Sequence, residues 1–241
     1  MRPSTILFMA FLSLITPASA KETCSIDNHA CIFTMIETEA DTMTESRWRN
    51  QAYRDLAVSK AMDGHYDASV ALISKIDNSD TQAMTVRAIG MAVALHKELD
   101  VETYRSIFKK LDVKAATIKD SGAKDIAYTY IAMAQAFAGL DNDATKTTDN
   151  MVNPALKHKA FGETAEIQAE RGDFTQAMKS INAIDSTAFK NKALSIISSI
   201  FVKRGEYHYA LQTAQMITNS SKKARALQKI LNTHQGLNKK K

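Results

Sequence analysis

The segment AEIQAERGDFTQA (residues 165–177) is matched 33 positions later by the segment SSIFVKRGEYHYA (residues 198–210). In both copies, small and apolar residues at helical spacing lead to a glycine, an acidic residue and an aromatic residue. Glycine can end a helix in the left-handed conformation without steric cost, and the acid after it can cap the next helix. Each copy is therefore predicted to form a helix, a tight turn and a second, antiparallel helix.

The same period extends beyond this pair. Alanine and glycine both keep the step of 33 in the later units, at Ala127, Ala160, Ala193 and Ala226 and at Gly139, Gly172 and Gly205. Upstream, Ala52, Ala88 and Ala127 are more widely spaced, which predicts insertions between the early units, with Asp100 at the glycine position of unit two. A period of this length is typical of stacked helix hairpins. The sequence thus predicts an all-α fold, an α-α superhelix of about five hairpins with terminal capping helices.

Composition agrees with this fold class. The chain has 241 residues, of which 45% are hydrophobic, with only 8 glycines and 3 prolines. Scarce glycine and proline argue against a turn-rich β sandwich, a collagen-like chain and a low-complexity chain. The formal net charge of +5 comes from mixed charges rather than from one basic stripe, so nucleic acid is not expected as a partner.

The turn sequences resemble the tetratricopeptide repeat. A small residue, a glycine-acid-aromatic turn and an alanine twelve positions after the first are shared by both copies above and echoed by AMDGHYDA (residues 61–68). The resemblance covers roughly residues 50–235. The helix-ending proline and the early tryptophan of that family are missing, and Ile184 and Ile217 stand where alanine is usual.

The N-terminus is typical of an export signal. Residues 1–20 contain one arginine, a short apolar run and the sequence Ala18-Ser19-Ala20, which predicts a signal peptide cleaved after Ala20 and a periplasmic or secreted protein. A transmembrane anchor is the alternative, but the run is about half the ~20 residues that a bilayer needs. The predicted organisation is a signal peptide (1–20), a lead-in and capping helix (21–48), the repeat domain (49–235) and a disordered basic tail (236–241).

Both cysteines, Cys24 and Cys31, lie just after the predicted leader. A close, even pair in an oxidising compartment predicts one local disulfide. The alternative is a metal site formed by the two thiolates and His29, which has no fourth ligand at a recognised spacing. We therefore expect a disulfide and no metal.

Catalytic motifs do not stand out in the sequence. It contains no phosphate-binding glycine loop, no HExxH and no nucleophile elbow, so we expect no cofactor and no enzymatic activity. Glu163 and Glu166 could form a carboxylate pair on one helix face, although charges at this spacing usually mark a solvated surface.

The resemblance implies a place for binding. In tetratricopeptide arrays the first helix of each hairpin lines a concave groove, and by position in the repeat this groove would present Arg54, Arg87, Met91, Tyr130, Met133, Phe137, Glu163, Glu166 and Lys192. Such a surface would suit an extended or helical peptide. The alternative for Tyr130 and Phe137, left open here, is that both rings pack beneath a neighbouring helix.

Two functions are compatible with these features. The first is a non-enzymatic interaction or scaffold module that binds a peptide or protein of the cell envelope through the groove. The second is an accessory factor or enzyme of cell-wall glycan processing that acts through acidic groove residues.

Overall fold

The computed structural model describes residues 24–238, and in this range the secondary structure is helical without strands. The predicted leader lies outside the described residues. The α-helices of residues 24–238, in chain order, are α1 His29–Thr42, α2 Ser46–Met62, α3 Tyr66–Leu72, α4 Ser79–Leu95, α5 Val101–Ala116, α6 Ser121–Phe137, α7 Asp141–Asp149, α8 Pro154–Glu170, α9 Phe174–Asn182, α10 Thr187–Lys203, α11 Tyr207–Gln215 and α12 Ser220–Asn238.

Five hairpins follow one another from α2 to α11, with α1 before them and α12 after them. The first helix of each hairpin (α2, α4, α6, α8 and α10) packs against the first helix of the next, and α10 packs against α12. Most second helices pack mainly against their own partners, whereas α5 contacts both its partner α4 and α6 of the next unit. This arrangement confirms the predicted all-α superhelix of five hairpins with a helix at each end.

The hairpin turns are built as the sequence predicts. Gly172 has φ +84°, a left-handed conformation that side chains disfavour, and Gly64, Gly139 and Gly205 adopt the same conformation. In each of these turns the next amide donates back across the helix end, as Asp173 N does to Gln168 O at 2.9 Å. The Asp173 carboxylate then caps α9 by accepting from Gln176 N.

The spacing predicted for the early units is wrong. The first helices begin at Ser46, Ser79, Ser121, Pro154 and Thr187, so they keep the regular step of 33 except for one longer interval, from Ser79 to Ser121. The whole insertion lies in unit two, where α5 has 16 residues and the other second helices have seven to nine. Asp100 is the N-cap of α5, accepting from Thr103 N at 2.7 Å, and does not occupy the turn-glycine position.

The two ends of the array differ from the hairpins. Cys24 and Cys31 form the predicted disulfide, with Cα atoms 5.8 Å apart, immediately before and within the start of α1. At the other end α12 begins one regular step after α10 and continues to Asn238, inside the segment predicted as a disordered tail. Residues 239–241 lie outside the described residues.

Buried apolar side chains form two large clusters. The N-terminal core extends from Ala40 in α1 to Leu140 after α6, and the C-terminal core extends from Phe161 in α8 to Ile230 in α12. Between them lies a small seam, defined by Ala132, Ala136, Ala144 and Ile167.

Candidate binding face

The corrected register brings equivalent residues of the first helices into rows. One row, which we call the inner row, consists of Val58, Met91, Met133, Glu166 and Ser199, each at the same position of its helix. All five are half-buried. Met91 packs against the N-terminal core and Met133 against the seam. The row is therefore apolar in units one to three and polar in units four and five.

A second row runs beside it, one helical turn further on. This outer row consists of the last residue of each first helix: Met62, Leu95, Phe137, Glu170 and Lys203. The first three are exposed by 65%, 70% and 40% of their surface. Sequence reasoning found Phe137 but missed Met62 and Leu95. Met62 and Leu95 lie 33 positions apart, which is the regular repeat step, so their equivalence could have been predicted. It was missed because sequence reasoning placed insertions between the early units.

Arg87 and Tyr130 meet between α4 and α6. The guanidinium carbon of Arg87 lies 4.9 Å from the centre of the Tyr130 ring, a cation–π contact. Phe137 is exposed, which rules out the alternative that its ring packs beneath a neighbouring helix, and Tyr130 is half-buried. Arg54 occupies the position in α2 that Arg87 has in α4, but Arg54 is half-buried whereas Arg87 is exposed.

Three predicted site residues, Glu163, Glu166 and Lys192, line one small cleft between α8 and α10. Its volume is about 100 Å³, and His158 and Phe189 close one side of it. Burial raises the pKa of Glu166, with a further contribution from Glu163, while the positive charge of Lys192 acts in the opposite direction. Glu163 is paired with Lys159 at 3.6 Å. The cleft therefore contains two carboxylates and two lysines, and Glu166 is the carboxylate whose charge is disfavoured by burial.

The two rows together form what we call the first-helix face. Its units one to three present Val58, Met91, Met133, Met62, Leu95 and Phe137. In unit four the same positions carry Glu166 and Glu170, and Lys203 follows in unit five. Such a surface can bury apolar side chains of a ligand at one end and pair with its cations at the other.

No helix between residues 24 and 238 is both long and apolar enough to cross a bilayer. In the same range no three histidine, cysteine or acidic side chains come together as a metal site.

Comparisons with known proteins give little further guidance. No protein-family model and no curated protein matches the sequence. Among solved structures, the chain is similar to one described as "Crystal structure of Ton1535 from Thermococcus onnurineus NA1", at 19% identity and a TM-score of 0.38. The match covers 75% of this chain, and this chain spans 57% of the length of that one. Membership of the tetratricopeptide family stays a prediction.

Proposed function

We propose that the protein is a non-enzymatic interaction module of the cell envelope, which binds an amphipathic peptide segment of a protein partner along the first-helix face. The observation that carries the proposal is the exposed apolar outer row, Met62, Leu95 and Phe137, which is followed in unit four by the acidic pair Glu166 and Glu170 of the two rows. Exposed apolar residues aligned on neighbouring elements are typical of protein-binding surfaces.

The order of residues along the face sets the chemistry of the partner. Apolar side chains of the peptide would lie on units one to three, and a lysine or arginine would lie above the carboxylates of unit four. The raised pKa of Glu166 supports this direction, because an added cation would remove part of the cost of keeping that carboxylate ionised.

The envelope location rests on two features. The sequence begins with a pattern typical of an export signal. Cys24 and Cys31 are paired, which fits an oxidising compartment such as the periplasm or the extracellular space. Mass spectrometry of the protein from its native host would show an N-terminus at Lys21 if the leader is removed, and a retained Met1 would contradict the location.

The binding proposal is tested with two synthetic amphipathic peptides that share an apolar face and end in either lysines or glutamates. Fluorescence anisotropy should show tighter binding of the lysine peptide. Phe137→Ser should weaken it about tenfold, as for an aromatic anchor at an interface. Leu211→Ser on α11 is the matched control, since Leu211 is exposed to nearly the same extent, 42% against 40%, on a second helix. Equal loss from both variants would refute the proposal.

A second candidate function is glycan processing through Glu163 and Glu166. It is favoured by the raised pKa of Glu166, because a general acid in glycoside hydrolysis is a carboxyl whose pKa is raised by its surroundings. The purified protein should then release soluble fragments from peptidoglycan, and Glu166→Gln should abolish the release. Absence of release by the unmodified protein would exclude this function and leave the binding proposal intact.

A further inference from the structure

A second pocket lies away from the first-helix face, where the insertion of unit two meets unit three. It has a volume of about 210 Å³ and lies between α5, the end of α6 and α7. At about 30 Å³ for each water, it has room for roughly seven waters. We call it the Asp112 pocket, and its polar lining consists of Arg105, Lys109, Asp112, Gln135, Asp143, Lys146, Thr147 and Asn150.

Two acceptor atoms in this pocket have no partner. Oδ1 of Asp112 and Oε1 of Gln135 are both shielded from solvent, and neither receives a hydrogen bond within the described part of the chain. Gln135 as a whole is deeply buried, since only 4% of its surface is exposed. Buried polar atoms in native proteins nearly always have a hydrogen-bond partner, so this pair points to a donor that comes from outside the chain.

The charges around the pocket are separated by depth. Arg105 is already paired with Asp143 at 3.0 Å and with Glu102 at 2.8 Å. Lys109 and Lys146 are exposed at the rim and form no ion pair among residues 24–238. The base of the pocket thus offers acceptors, whereas its rim offers free positive charges. An anion alone would be repelled from the base, and a cation alone would leave the rim unused.

We propose that the Asp112 pocket binds a small zwitterion of amino-acid size, with the ligand ammonium at Asp112 and Gln135 and its carboxylate between Lys109 and Lys146. An ammonium group has three donors, enough for both unpartnered oxygens. The rim lysines act as point charges for the carboxylate. The site shares no residue with the first-helix face, and Gln135 is the one lining residue that it takes from a first helix.

Proton linkage gives the site a signature. Burial, together with the nearby charge of Asp143, raises the pKa of Asp112 to about 7. The other charged or titratable groups that face it are Arg105, Lys109, Tyr128 and Lys146, and the pKa of Tyr128 is itself raised, so this phenol stays neutral. Ammonium binding requires the ionised carboxylate. As the pH increases towards 7, the affinity should therefore rise about tenfold per pH unit, and above pH 7 it should level off.

The experiment is calorimetric titration of the purified protein with the standard free amino acids, and with propylammonium and propionate as half-probes. At least one amino acid should bind, and both half-probes should bind at least tenfold more weakly. Asp112→Asn and Gln135→Met should each weaken binding tenfold or more. Asp149→Asn, on α7 outside the pocket, is the matched control and should leave the affinity unchanged.

Three results would overturn the proposal. The first is that no amino acid binds at concentrations up to about 10 mM, which would mean a pocket filled only by water. The second is an affinity that does not change with Asp112→Asn in a variant shown to be folded by circular dichroism. The third is an affinity that stays constant between pH 5 and pH 7.

Discussion

The N-terminal and C-terminal cores are held together by different interactions. In the N-terminal core the capping helix α1 is fastened to unit one by charged contacts, including Lys60 to Glu37 at 2.9 Å and Lys75 to Asp41 at 3.0 Å. In the C-terminal core, aromatic rings stack between units four and five, where the ring centres of Phe174 and Tyr209 lie 4.4 Å apart. The seam between the two cores contains mainly alanines. The array therefore contains two apolar bodies joined by a thin apolar contact.

Polar bonds reinforce that seam. Arg171, at the end of α8, donates to the carbonyl of Ala136 at the end of α6 and is paired with Asp141 at 2.8 Å. Gln168 donates to the other oxygen of Asp141, also at 2.8 Å. In one-dimensional arrays the interface between units decides whether they unfold together. The cooperativity of this protein should accordingly depend on the seam.

The largest effect is expected from Phe201→Ala, which removes a fully buried ring from the C-terminal core. The expected loss is about 4 kcal/mol of unfolding free energy. Amide hydrogen exchange can follow the two cores separately, because α4 contributes to the N-terminal core and α10 to the C-terminal core. In the variant, exchange in α10 should quicken at a lower urea concentration than exchange in α4. Coincident curves would mean that the two cores form one cooperative unit.

The next largest effect is expected at the seam. Arg171→Met should cost about 3 kcal/mol, because it leaves the half-buried Asp141 without its cation. Arg204→Met is the matched control at the equivalent position of unit five. Arg204 donates to Glu170 O and pairs with Glu206 at a more exposed site, so its loss should cost less than about 1 kcal/mol. Equal costs in urea unfolding would show that Arg171 stabilises the seam no more than Arg204 stabilises the contact between units four and five.

A third prediction concerns pH. Hydrogen bonds and nearby cations lower the pKa of Glu37, Asp41 and Asp77 in the N-terminal part, which should lose stability as the pH falls through these values. Asp112, beside the seam, has a raised pKa, so its effect on stability changes with pH in the opposite direction. Its pKa of about 7 means that the folded protein keeps a proton there which the unfolded chain has released. Its contribution to stability therefore decreases as the pH rises from about 4 to 7.

Asp112→Asn should remove this dependence. We expect the variant to be about 2 kcal/mol more stable than the unmodified protein at pH 8 and no more stable at pH 4, as part of the carboxyl remains in contact with water. Urea unfolding at several pH values measures the difference. Asp149→Asn, which alters an exposed carboxylate on α7, should give a curve parallel to that of the unmodified protein. A constant difference between pH 4 and pH 8 would contradict the assignment.

The difference between the regular and the irregular units explains which parts of the fold the sequence could predict. Units three to five keep a strict period, so the turns at Gly139, Gly172 and Gly205 and the cap at Asp173 were predictable from local chemistry alone. Unit two was not, because small residues such as Ala88 occur on several faces of a helix and allow more than one register. The wrong register of unit two also affected the predicted binding face, because it concealed that Leu95 and Phe137 occupy equivalent positions in α4 and α6.

The Asp112 pocket shows a second limit of sequence reasoning. Its key residues, Asp112, Gln135 and Asp143, come from three helices and share no spacing or motif. They meet only because the long α5 extends along the start of unit three. Arg171 and Arg204, by contrast, keep the regular repeat step and directly precede the turn glycines. Their contacts with the preceding unit could have been suspected from that repetition.

The smallest effect is expected at the N-terminal end of the array, at the disulfide before α1. Replacing Cys24 and Cys31 together by serine removes a crosslink that closes a short loop ahead of α1, for which chain-entropy models give about 2 kcal/mol. Most of that loop is exposed, and Asn28 still caps α1 by accepting from Cys31 N through its side chain, a bond that the serine amide can also donate. The global free energy of unfolding should therefore fall by less than about 1 kcal/mol. Hydrogen exchange should quicken in α1 and stay unchanged in α10, whereas a uniform increase along the chain would show that the cap stabilises the whole array.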